Sequence, residues 1–182
     1  MRKPRDDFHF VSELLTAFFR QPSLKSALRV IQAQEITGWE VWIQVELARF
    51  LSEHETGPEW YREESLQFDY RIEKTRYFFK PDFIIRKKGA ATGRYIALEI
   101  KQHRQAGNCV SNMVSDLVKV SKMRRSEIDL RSFWALGIFQ TEHNSDVETI
   151  IQSKLEAAGL EFHQTVVAFA QIGRTPFSYA LF

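Results

Sequence analysis

Apolar residues recur every three to four positions over the first third of the chain and every second position, or in unbroken runs, over most of the rest. From Phe8 to Arg20, Phe10, Leu14, Leu15, Phe18 and Phe19 fall on one side of a helix. "QPSLKSALRVIQAQE" opens with Pro22 and Ser23, a good helix start, and continues with Leu24, Leu28 and Ile31. "TGWEVWIQVELARFLSEHE" is a third, stronger helix. "ESLQFDYRIE", "TRYFFKPDFIIRKK" and "GRYIALEIKQ" have strand composition, and the last two form a hairpin around "KKGAATG". Asn108 is placed to cap a helix from about Cys109 to Arg125, with Val110, Met113, Val114, Leu117 and Val118 on one side. "RSFWALGIFQ" is continuously apolar, the kind of strand buried on both faces. "SDVETIIQSKLEAAG" is a helix with Ser145 as its cap, and "EFHQTVVAFAQ" and "TPFSYALF" are two more strands. Helices, a hairpin and then alternating strands and helices predict an α/β fold, a mixed sheet covered on both sides. No linker divides the 182 residues, so one domain is expected.

Three charges break this pattern. Asp82 interrupts the first strand of the hairpin, and Glu99 and Lys101 interrupt the second. Side chains alternate faces along a strand, so Glu99 and Lys101 share one face while Ile96, Leu98 and Ile100 take the other and pack on a helix. If the strands are neighbours, a register exists that brings Asp82 beside Glu99. Two carboxylates that close do not both ionise cheaply, and a divalent cation removes the conflict. Hard oxygen donors suit Mg²⁺, with waters and a substrate phosphate completing its shell. Pro81, inside a strand, points to a bulge that would re-aim Asp82. The plain alternative is a salt-bridged cluster, with Lys101 paired to Glu99 or Asp82 on a solvated face.

Composition adds little until it is divided. The chain is 44% hydrophobic and 26% charged, with a net charge of +2. Between Arg71 and Arg131, however, fifteen Lys/Arg face six Asp/Glu, a net of +9, against ten and seventeen elsewhere, a net of −7. The basic excess lies on the segment with the odd charges, which suits a polyanion such as nucleic acid. A solvated face built of Lys and Arg stems is the competing reading. The single Cys109 excludes an internal disulfide and a cysteine zinc site. No apolar run is long enough for a membrane span and no secretory leader is visible, so a cytoplasmic location is expected.

The third helix offers one more acidic group. In projection Trp39, Trp42, Ile43, Glu46, Leu47 and Phe50 share a side, and Glu46 sits within the most aromatic stripe of the protein. A carboxylate there must be paired, protonated or liganding something. Glu40 and Gln44, at the stripe's edge, read as surface or rim residues.

"PD" at Pro81-Asp82, seventeen residues before "EIK" at Glu99-Ile100-Lys101, on consecutive strands and preceded by an acidic helix residue, resembles the PD-(D/E)XK nuclease superfamily. The likeness spans about Trp39 to Gln140. It implies a restriction-endonuclease-like three-layer core with the order α-β-β-β-α-β, here about 39–140, with an N-terminal helical extension over 8–36 and a C-terminal helix and strands over 145–182. It implies that Asp82 and Glu99 hold Mg²⁺, or Mn²⁺ in its place, with the Ile100 carbonyl and Glu46 contributing. It further implies that Lys101 orients or helps deprotonate the attacking water. The expected activity is metal-dependent hydrolysis of phosphodiester bonds in nucleic acid, with DNA the expected form. Arg104, Lys119, Lys122, Arg124 and Arg125 are candidate phosphate contacts, although Asp116 and Lys119 also read as a surface pair on their helix. Cutting both strands would call for a homodimer or a partner protein. The alternatives are a catalytically silent binding module of the same fold, or a nuclease toxin of an interbacterial or phage-defence system.

Overall fold

The computed structural model describes residues 2–64, 80–121, 130–141 and 146–182. In chain order the elements are α1 (Arg2–Arg20), α2 (Pro22–Ala33), α3 (Glu40–Glu53), β1 (Glu59–Arg62), β2 (Phe83–Arg86), β3 (Tyr95–Gln102), α4 (Ala106–Ser121), β4 (Leu130–Gln140), α5 (Val147–Ala157), β5 (Ala168–Gln171) and β6 (Phe177–Leu181). The fold is α/β, and the described strands form one mixed open sheet in the order β1-β2-β3-β4-β6-β5. Only β3 and β4 run parallel; every other neighbouring pair is antiparallel.

Alternation along the strands sorts two cores onto the two faces of the sheet. Phe83, Ile85, Ile96, Leu98 and Ile100 join Leu136 and Ile138 against the buried stripes of α1, α2 and α3. On the opposite face Ala135, Phe139 and Ala180 pack against Cys109, Val110 and Met113 of α4 and Ile151 and Leu155 of α5. Strand β4 is buried continuously from Trp134 to Phe139, as its unbroken apolar run predicts. No helix among the described residues is long and apolar enough to cross a membrane.

Several boundaries differ from expectation. Strand β1 comes earlier than the strand expected over "ESLQFDYRIE", most of which lies outside the described residues. Pro81 and Asp82 precede β2 instead of interrupting it, so Pro81 sits where no ladder N–H is required and no bulge is needed to aim Asp82. The irregular step in the sheet is elsewhere, between Tyr95 and Ile96 in the β3–β4 pairing. Helix α4 begins at Ala106, which puts Asn108 inside its first turn, where the side chain donates to Gln105 Oε1. Asp146 caps α5, its carboxylate accepting from the Thr149 N–H at 3.1 Å; Ser145 lies outside the described residues.

One glycine sets the spacing between α4 and the sheet. Gly137 of β4 stands opposite Lys101 of β3. A Cβ there would meet Met113 Sδ at 2.3 Å and Cys109 Sγ at 2.9 Å. Gly137→Ala must therefore push α4 outward or force Met113 off its rotamer, an overpacking cost of about 1–3 kcal/mol. Urea unfolding should show that loss, and Met113→Ala should recover part of it in the double variant.

Candidate active site

The antiparallel register of β2 on β3, with Phe83 opposite Leu98, continues one step to bring Asp82 beside Glu99. The Asp82 backbone N–H donates to Glu99 Oε2 at 3.3 Å. One oxygen of the Asp82 carboxylate accepts from the Ile100 N–H at 2.7 Å, and the other from Gln44 Nε2 at 2.8 Å. Gln44, only 4% exposed, is itself held by Arg62 Nη2, which donates to its Oε1 at 2.7 Å. Asp82 is thus fixed from three sides, by β3, by α3 and, through Gln44, by β1.

Glu99 and Lys101 share a face of β3, as parity requires, and Lys101 Nζ lies 2.7 Å from Glu99 Oε1. The same ammonium is 3.0 Å from Asp116 Oδ2 on α4. The other oxygen of Asp116 is 2.7 Å from Lys119 Nζ. A chain of alternating charge therefore runs Glu99, Lys101, Asp116, Lys119 from the sheet to the surface of α4.

Burial and charge shift these groups in a consistent way. Burial first, and then the neighbouring Glu99 charge, push the Asp82 carboxyl up to about 7; the Ile100 N–H and Lys101 act against this. Burial also raises Glu99, opposed by the Lys101 ammonium. For Lys101, burial alone would favour the neutral amine, but Glu99 and Asp116 together outweigh it and raise the amine above the ordinary lysine range. An ammonium held this way supplies charge and hydrogen bonds. Asp82, without an ion-pair partner of its own among the described contacts, is short of positive charge, the condition a divalent cation would relieve, and the hard oxygens of Asp82 and Glu99 match Mg²⁺ or Mn²⁺. Asp82, Glu99 and the Ile100 carbonyl are the groups that would hold it.

The third carboxylate does not arrive as expected. Glu46 Oε2 pairs with Arg49 Nη2 at 3.1 Å, and Arg49 also reaches Glu53 and Gln21. The buried side of α3 is Ile43, Gln44, Leu47 and Leu51, while Trp42 and Phe50 are only partly buried. Large aromatic rings line the rim of a core as readily as its centre, so the aromatic stripe mislocated the inward face. The groups α3 directs to the site region are Gln44 and Glu40, whose carboxylate accepts from the Gln102 N–H at 3.0 Å and whose charge adds to the rise at Asp82. Among the described residues no three Asp, Glu, His or Cys side chains gather closely enough to hold a metal ion. Among the described residues, Asp82 and Glu99 are the expected ligands that come together, and Glu46 does not join them.

The basic candidates divide. Lys119 serves Asp116. Arg104 is exposed just beyond β3 and donates from Nε to Gln140 Oε1 at 3.1 Å. Lys122, Arg124 and Arg125 lie outside the described residues. Asp116, Gln44 and Arg62 are the functional candidates that sequence reasoning missed. For Asp116 a signal existed, because it projects about 20° from Cys109 around α4, at the margin of the buried face. For Gln44 the signal was its spacing from Ile43 and Leu47. Arg62 offered none.

No family model, curated protein or solved structure matches this chain.

Proposed function

We propose that this chain is a metal-dependent nuclease of the restriction-endonuclease-like PD-(D/E)XK superfamily, hydrolysing phosphodiester bonds in nucleic acid, with DNA as the substrate. The observation that carries the reading is the joining of Asp82, Glu99 and Lys101 in one hydrogen-bonded group at the start of β2 and along β3. Two further observations support it. The order α3-β1-β2-β3-α4-β4 is the order the resemblance implies. The region from Arg71 to Arg131, which contains the group, carries most of the basic excess of the sequence.

Each residue then has a task. Asp82 and Glu99, with the Ile100 carbonyl, would hold Mg²⁺ or Mn²⁺. The bound ion would lower the pKa of its water and neutralise charge on the phosphate. Gln44 and Arg62 fix the orientation of Asp82 so that its carboxylate does not turn to solvent. Lys101 keeps its proton and donates to the phosphate oxygens, where negative charge grows as the ester is displaced. The two carboxylates define one cutting site per chain, so cleavage of both strands takes a second copy or a partner chain.

A specific observation favours a second reading, a silent binding module: Lys101 is satisfied by carboxylates on both sides, as a structural ion-pair cluster would be. One experiment separates the two. Purified protein is incubated with single- and double-stranded DNA and RNA in Mg²⁺, in Mn²⁺ and in EDTA, beside Glu99→Gln. The nuclease reading expects divalent-dependent cleavage that EDTA abolishes and Glu99→Gln reduces at least about 100-fold. Nucleic-acid binding with no cleavage under any of these conditions leaves the silent module.

A further inference from the structure

Resting on that reading, we propose that Asp116 is a positioning residue for the same site: it holds the Lys101 ammonium in its working place when Glu99 turns to a metal ion. The geometry sets a competition. Glu99 Oε1 is the nearest acceptor to Lys101 Nζ, at 2.7 Å. Glu99 is also a proposed ion ligand, and an oxygen bound to a divalent cation no longer offers the same charge to an ammonium. Without a second anchor, Lys101 would then repel the cation and swing away, since its long stem has several rotatable bonds. Asp116 Oδ2, 3.0 Å from Nζ on the other side, is that anchor.

Asp116 is built for the task. It is 9% exposed although it is an acid on a helix, and Lys119 binds its second oxygen at 2.7 Å, which fixes the carboxylate plane. Its reach depends on the close approach of α4 that Gly137, opposite Lys101, permits. Asp116 makes no hydrogen bond or ion pair to Asp82 or Glu99 among the contacts described; its charge adds to the rise at Glu99, and its one contact with the site is the Lys101 ammonium.

A double-mutant cycle tests this. Asp116→Asn, nearly isosteric, should lower kcat by about 10–100-fold with KM for nucleic acid within about threefold, because substrate binding does not use the anchor. In a Lys101→Met background the same substitution should cost less than about twofold, since the group it positions is already gone. Asp116→Glu, which keeps the charge, should restore part of kcat. As a measurement independent of turnover, Mn²⁺ titration by calorimetry should show weaker binding in Asp116→Asn, because Lys101 then leans wholly on Glu99. That weakening should vanish in the Lys101→Met background. A wild-type kcat in Asp116→Asn, or equal losses in both backgrounds, overturns the positioning role while the nuclease reading stands. A wild-type protein that neither cleaves nor binds Mn²⁺ overturns both.

Discussion

Lys101→Met should reduce divalent-dependent cleavage by about 10²–10³-fold, the usual cost of removing one donor aimed at developing charge. The same variant should bind nucleic acid within about threefold of the wild type. It should bind Mg²⁺ or Mn²⁺ more tightly, because the ammonium that competes for Glu99 has gone. This pairing of a lost rate with a gained affinity is what separates a catalytic lysine from a structural one. A structural lysine between two carboxylates would, when removed, leave Glu99 and Asp116 facing each other uncompensated, and the chief result would be lower stability. Single-turnover cleavage and calorimetry on one preparation read both quantities. Undiminished cleavage by Lys101→Met would remove this residue from the reaction.

The second large effect is on stability against pH, with divalent ions chelated. The Asp82 carboxyl sits at about 7 in the folded protein and near 4 in the unfolded chain. Between these values the folded state keeps a proton that the unfolded state releases, so stability falls as pH rises from about 4 to 7 and is flat beyond. A shift of this size corresponds to at most about 4 kcal/mol. Burial of Glu99 acts in the same direction. Most soluble proteins gain stability over this window, so the slope is diagnostic. Asp82→Asn should flatten it and should be the more stable protein at pH 8 by about 2 kcal/mol, after allowing about 1–2 kcal/mol for the altered hydrogen bonds with Gln44 and Ile100. Urea titrations at several pH values in EDTA give the measurement. A wild-type curve that rises from pH 5 to 7 would contradict the buried, repelled carboxylate described here. Saturating Mg²⁺ should abolish the decline in the wild type only.

The parts of this site that were legible in the sequence are those governed by local geometry. Period-two alternation placed Glu99 and Lys101 on one face and Ile96, Leu98 and Ile100 on the other, and the core composition agrees. The short connection between β2 and β3 made them antiparallel neighbours, which fixed Asp82 near Glu99. What stayed hidden depends on how separate elements meet. Glu46 was misplaced because hydrophobic bulk, not position, marked the face of α3; aliphatic Ile43, Leu47 and Leu51 define it instead. Asp116 read as a surface partner of Lys119, and it is one, but its other oxygen turns inward to a strand 15 residues earlier. Strand β1, four residues long, was too short to show a period, and with it went Arg62.

The neutral balance of this group has a consequence for when the ion is needed. Asp82 is quieted by a proton below pH about 7 and Glu99 by a tethered amine, so on the proposed reading these two cations stand in for the metal. Below pH about 7 the fold then leans least on an ion, and the link between folding and loading tightens as Asp82 loses its proton. On the proposed reading, an arriving ion would exchange with the Lys101 ammonium at Glu99 and displace the proton of Asp82.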